Sequence, residues 1–151
     1  MHLVVLGFGS NLGNRQQTIL SAYSLLEERL KTVLKKSSFY ETEPWGNLNQ
    51  PKFINSAAYL TTDKTPFDVL EVVLDIETYL GRVRKEKWGA RIIDIDILFF
   101  GNRIINSNNL IIPHPYIQER RFVMQPLAEI LPNYVHPVLN KDIKTLLMEL
   151  K

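Results

Sequence analysis

Arg91-Ile92-Ile93-Asp94-Ile95-Asp96-Ile97-Leu98-Phe99-Phe100 alternates in polarity. Ile93, Ile95, Ile97 and Phe99 fall on one side, and Asp94, Asp96, Leu98 and Phe100 on the other. Period-2 alternation rich in Ile and Phe predicts a β-strand. A strand rises about 3.3 Å per residue, which sets the two carboxylates roughly 6–7 Å apart on one face. At an effective dielectric near 20 their repulsion is about 2–3 kcal/mol. That exceeds the roughly 1 kcal/mol span of β-propensity, so something positive is expected between them. Oxygen donors at this spacing suit a hard divalent cation, or a pair of them.

The residues before the strand sharpen the expectation. Arg82, Arg84, Lys85, Lys87 and Arg91 fall within ten residues, around Trp88-Gly89. Cations suit a polyphosphate, carboxylates suit its metal, and an indole suits a flat ring. The same pattern also fits a solvated basic loop whose arginines pair with the acids of the following strand.

Length and composition narrow the class. The chain of 151 residues fits one domain, 1–151, with a substantial core. It has no cysteine, which excludes disulfides and thiolate metal sites and fits a reducing compartment. A net charge of +2 does not by itself indicate nucleic acid. There is no signal-peptide pattern and no apolar run near the roughly 20 residues of a membrane span. A soluble, cytoplasmic, monomeric protein is expected, with no membrane and no nucleic-acid partner.

In chain order, Leu3-Val4-Val5-Leu6 predicts a buried strand within 2–9, and Gly7 to Asn14 a turn-rich junction into a helix. The glycine spacing does not match G-x-G-x-x-G, and no P-loop Lys-Ser/Thr follows. Asn14 or a neighbour caps a helix to about Lys31, with Ile19, Tyr23, Leu26 and Leu30 on one face. Ser37-Ser38-Phe39-Tyr40 suits a strand. A long loop from Glu43 to Pro51 carries Trp45. In 53–62, Phe53, Asn55, Ala57 and Tyr59 share one face. Thr65-Pro66-Phe67-Asp68 opens a second helix with Leu70, Val73, Leu74, Glu77 and Leu80 at helical spacing and Gly81 as its stop. Glu77 on that apolar stripe is either a site residue or a rim glutamate. Gly101-Asn102 predicts a hairpin turn, with Ile104 and Ile105 on the returning strand. Pro113 and Pro115 restrict the backbone of His114. Pro126 starts a further helical piece, and Asp142 caps the last helix. The order β-α-β-β-α-β through Phe100 is an α+β, ferredoxin-like plan: an antiparallel sheet with helices on one face, to which a later hairpin and C-terminal helices are added.

The three histidines are far apart in sequence and no H-E-x-x-H occurs. G-x-S-x-G and protein-kinase signatures are absent. A carboxylate pair with a dense supply of Arg is the equipment of phosphoryl transfer. At this point the residues resemble a family. Gly81-Arg82-Val83-Arg84, Trp88-Gly89-x-Arg91, Asp94-Ile95-Asp96-Ile97 and Pro113-His114-Pro115 are similar to hydroxymethyl-dihydropterin pyrophosphokinases of folate biosynthesis. Gly9-Ser10-Asn11-Leu12-Gly13, Ser38 to Thr42, Phe53-Ile54-Asn55 and Glu119 to Val123 agree, so the likeness covers nearly the whole chain.

The resemblance implies transfer of diphosphate from ATP to the pterin hydroxymethyl group, with release of AMP. Asp94 and Asp96 would hold two magnesium ions (Mg2+). Arg82, Arg91, His114 and Arg120 would meet the ATP phosphates, with Arg82 and Arg91 catalytic alongside the two acids. Glu77, Arg84 and Trp88 would line or close the nucleotide site. The pterin would lie between Phe53 and Phe122, its edge read by Asn55 and the backbone near Thr42 and Trp45. There are departures. The loop between Arg84 and Trp88 is one residue shorter than in some members. Leu74, Asn109 and Ile111 replace polar or basic residues of some members, and Trp45 a smaller apolar one. The competing class is an RNA-binding module on the same sheet. The absent RNP1 pattern, the acid pair and the confinement of the cations to one loop argue against it.

Overall fold

In the computed structural model, which describes residues 1–43, 51–81 and 92–150, the central strand is β1, His2–Ser10. It runs on through Gly7 and Gly9, so the expected turn starts only after Ser10. The reason is pairing on both edges, which overrides the local preference of glycine. Strand β4 (Phe53–Thr62) lies antiparallel to β1 from His2↔Thr62 to Ser10↔Ile54. Strand β5 (Asp94–Phe100) lies antiparallel on its other side.

The strand expected across Ser37 to Tyr40 is interrupted. It appears as β2 (Lys35–Lys36) and β3 (Tyr40–Thr42), both paired with β4. Ser38 supplies the physical reason: its N–H and hydroxyl both donate to the Glu129 carboxylate at 3.0 Å, drawing the chain off the ladder. With β2 and β3 counted as one broken strand, the order β2-β4-β1-β5 is the ferredoxin-like sheet. The outer β2 edge carries two exposed lysines, which discourage further pairing.

Helix α1 (Arg15–Leu30) is capped by Asn14, whose side chain accepts from Gln17. Helix α2 (Pro66–Tyr79) opens on a complete capping box between Thr65 and Asp68. Both cover one sheet face, with Val4, Leu6, Ile19, Leu26, Ile54, Ile76, Ile95 and Ile97 in a continuous core. The inward stripe of α2 is rotated from the expected one: Val69, Val72, Val73, Ile76 and Glu77 are buried, whereas Leu74 is exposed. The other sheet face is covered by the added helices α3 (Arg121–Ile130) and α4 (Ile143–Glu149), over Val5, Ala57, Leu98 and Phe99. Pro126 lies inside α3 rather than at its start. The helix is already established by Val123 and Met124, whose N–H groups donate to the Arg120 carbonyl, and burial of Met124, Pro126 and Leu127 offsets the missing donor.

Two further expectations are corrected. Alternation in β5 does not run through to Phe100. Val5 pairs with Phe99 and Leu6 with Ile97, so Leu98 is an inserted bulge residue. The bulge sends Phe99 into the α3–α4 core and Phe100 into the α1–α2 core. The segment after Gly101-Asn102 does not return along β5. Instead β6 (Ile105–Asn106) pairs with β7 (Ile111–Ile112) as a separate two-stranded sheet. Gly101 is drawn back to β1, its N–H donating to the Leu3 carbonyl, and its own carbonyl accepts from the Tyr134 hydroxyl. Among the described residues no helix is long and apolar enough to cross a membrane.

His136 is buried edge-on against Phe99, and its Nδ1 accepts from the N–H groups of Val138 and Leu139 at 3.2 Å each. Burial pushes its pKa below the ordinary value. The unfolded chain therefore binds the proton more readily, so this contribution is full above the unfolded pKa of about 6.5 and fades as pH falls through the folded one. Urea midpoints should drop on acidification through this range. The variant His136→Asn, which keeps an acceptor but cannot titrate, should start lower and show a flatter profile.

Candidate active site

Asp94 and Asp96 point to the same side of β5, where two cavities meet. Each cavity is lined by both carboxylates. Asp94 and Asp96 are half-buried, so water and ligands reach them without the acids losing all hydration.

The smaller cavity, about 150 Å³, is formed by β1, β3, β4, β5 and the start of α3. Phe53 and Phe122, both half-buried, line it together with Asn55 and Thr42. Asn55 is buried and its Nδ2 donates to Thr42 Oγ1 at 2.5 Å, which fixes the direction of the amide. Arg120 stands at the rim with its guanidinium 5.9 Å from the Phe122 ring and 5.6 Å from that of Tyr116. Gly7 and Gly9 form the floor. A Cβ at Gly9 would stand 3.1 Å from Asn55 Oδ1, and one at Gly7 would stand 3.3 Å from Leu98. Neither glycine was expected to shape the site. The signal lay in their spacing of two on one strand, which marks a close approach to that face. Glu129 ties α3 to this wall. Its carboxyl is held below the ordinary range first by the Tyr40 hydroxyl, which donates at 2.7 Å, and the same bond pushes Tyr40 up.

The larger cavity, about 540 Å³, is walled by α2, β5 and the β6–β7 segment. Leu70, Val73, Leu74, Leu110 and Ile111 give it an apolar side, and Glu77, Asn108, Asn109 and His114 a polar one. The His114 N–H donates to the carbonyl of the bulge residue Leu98, at 3.0 Å, so the bulge mounts the Pro-His-Pro segment on β5. His114 Nδ1 lies 2.8 Å from the Pro115 carbonyl. A carbonyl only accepts, so Nδ1 carries a proton. Nε2 is thereby turned toward Asp96 Oδ1, 3.9 Å away.

The structure thus brings Asp94, Asp96, Glu77, His114, Arg120, Asn55, Thr42, Phe53 and Phe122 to one pair of cavities. Trp45, Arg82, Arg84, Trp88 and Arg91 lie outside the described residues. Among the described residues no three metal-ligating side chains cluster. A carboxylate pair suits a hard cation such as magnesium, which keeps several waters and rarely takes an all-protein cage.

Comparison with known proteins is decisive at this point. The family model described as 7,8-dihydro-6-hydroxymethylpterin-pyrophosphokinase (HPPK) matches residues 5–132. The chain belongs to this family. It is therefore an enzyme, a diphosphotransferase of the HPPK type. A relative from Aquifex aeolicus, named 2-amino-4-hydroxy-6-hydroxymethyldihydropteridine pyrophosphokinase, is 41% identical over 144 residues, covering 95% of this chain and 89% of its own. One of the same name from Bacillus subtilis is 43% identical over 130 residues, covering 85% and 78%. The fold is also that of the Plasmodium falciparum HPPK-DHPS crystal structure, at TM-score 0.76 and 21% identity. That match takes in 99% of this chain but 43% of the larger protein.

The HPPK floor offers a direct check. Gly9→Ala should displace the Asn55 side chain, whose Oδ1 would stand 3.1 Å from the new Cβ, and destabilise the protein by about 1–3 kcal/mol, the usual scale of overpacking. Chemical denaturation measures the loss, and a crystal structure of the variant should show which side chain moved.

Proposed function

We propose that this chain transfers the terminal diphosphate of ATP to the hydroxymethyl oxygen of 6-hydroxymethyl-7,8-dihydropterin, with Mg2+, releasing AMP in the synthesis of folate. The observation that carries the reading is the position of Asp94 and Asp96 as the shared wall of two chemically different cavities. The smaller one suits a flat heterocycle: two rings in its lining, a fixed amide for the polar edge and no side chain on its floor. The larger one suits a nucleotide, with an apolar side for the base and His114 and the acids toward the phosphates.

The chemistry asks for in-line attack. The pterin hydroxymethyl oxygen bonds to the β-phosphorus of ATP and loses its proton. The bond from that phosphorus to the α–β bridging oxygen breaks, and AMP leaves with that oxygen. Bound magnesium supplies neutralisation of the phosphate charge, and Asp94 and Asp96 would hold it. Arg120 stands at the rim of the smaller cavity, ready to meet anionic oxygens. His114 presents Nε2 from the larger cavity toward Asp96, which lines both. Arg82 and Arg91 are assigned to developing charge, and Arg84, Trp88 and Trp45 to the substrates, by resemblance alone. Family relatives named as pyrophosphokinases support the donor and acceptor classes.

Formation of AMP from ATP with the pterin alcohol and magnesium is the direct assay. Product without a magnesium requirement, or no AMP at all, would sink the reading. Asp94→Asn and Asp96→Asn should each fold and lose at least about 10²-fold in turnover, the scale for one preorganised electrostatic contact. A folded variant with near-native turnover would remove that acid from the mechanism. Phe53→Ala and Phe122→Ala should weaken the pterin far more than ATP in calorimetric titrations. Equal losses for both ligands would make these rings plain core residues.

A further inference from the structure

Of the acids on α2, Glu77 alone is buried, at 5% exposed. Its Oε2 accepts from the Ile95 N–H at 2.8 Å. Ile95 is the residue between Asp94 and Asp96, and its side chain points into the α1–α2 core, away from them. Among the described residues strand β5 is the last in its sheet, and its outward amides meet no neighbouring strand there. A buried carboxylate is costly unless bonded, and a backbone amide is a strong, directional donor to it. Glu77 therefore does for β5 at this point what a further strand would do.

We propose that Glu77 is a positioning residue. By holding the Ile95 amide it fixes the stretch of backbone from which both acids project, and so sets how well they share a divalent cation. This rests on the proposed role of Asp94 and Asp96 in holding magnesium. It differs from direct contact with the nucleotide, the role that family resemblance suggests for Glu77. This hydrogen bond ties the acids' strand to α2, and its loss leaves the ladder to β1 intact but releases the outer side of the strand at Ile95. Outer partners that orient ligands typically matter 10–100-fold for metal affinity or activity.

Two variants separate the bond from the charge. Glu77→Gln keeps an acceptor of the right length and loses the charge; Glu77→Asp keeps the charge and is one methylene too short. Amide hydrogen exchange at Ile95, by NMR on the full chain, reports the bond without reference to activity. Glu77→Gln should keep Ile95 protected and the magnesium half-saturation of turnover within about threefold. Glu77→Asp should expose the Ile95 amide, leave the β1–β4 amides protected, raise the magnesium half-saturation by about tenfold or more and lower kcat. The proposal is overturned if Glu77→Gln is as impaired as Glu77→Asp, since charge would then be the agent. It is overturned as well if ATP affinity falls while magnesium half-saturation and kcat stay native. Those results leave the role of the acids standing. Turnover by the wild type without magnesium removes that role, and the proposal with it.

Discussion

Two like charges on one face of an edge strand are the constraint around which the molecule is built. An edge strand is held by a ladder on one side only, so its outer side is free to twist and to pair wrongly. Here the outer side of β5 is closed by atoms that belong to no strand. Glu77 takes the Ile95 amide, and the His114 amide fills the Leu98 carbonyl. Both closing groups sit on segments that also wall the larger cavity. Holding the acids and shaping the neighbouring cavity are consequently one structural act.

The bulge at Leu98 extends this economy to the core. A regular strand would send Leu98 and Phe99 to opposite faces. The extra residue sends both toward α3 and α4, and returns Phe100 to the side of α1 and α2. Each helical layer thereby receives a large side chain from the same short strand. The C-terminal helices are anchored where they are needed to bring Arg120 and Phe122 over the smaller cavity. That arrangement is then locked by Glu129 against Ser38 and Tyr40, and by Tyr134 against Gly101.

Much of this was legible in the chain. The acid pair, the Asn14, Thr65 and Asp142 caps, the apolar face of α1 and the alternation of β4 rest on local chemistry, and local chemistry is what a sequence displays. The misreadings share a cause: tertiary partners decided between local options of similar cost. Leu98-Phe99-Phe100 is apolar throughout, so a bulge leaves no mark on its pattern. Leu70 and Leu74 fit the helical period as well as Val69 and Val72 do, and only the sheet beneath α2 selects between them. Ser38 leaves the ladder because of a glutamate ninety-one positions away. In the candidate site, Glu77, Asp94, Asp96 and His114 stand out in the sequence for their chemistry, and the structure brings them to the larger cavity. The floor of Gly7 and Gly9 does not stand out, because its contribution is the absence of atoms.

The two cavities are built from different parts of the chain. One takes its walls from β1, β3, β4 and α3; the other takes them from α2 and the β6–β7 segment; among the described residues β5 alone belongs to both. Substitutions can accordingly accumulate in either wall as separate inheritances. Leu74, Asn109 and Ile111 could be exchanged without disturbing the rings around the smaller cavity, and Phe53 or Val123 without disturbing the larger one. A lineage can retune its taste for one ligand while leaving its taste for the other alone, provided the shared partition at Asp94 and Asp96 is left untouched.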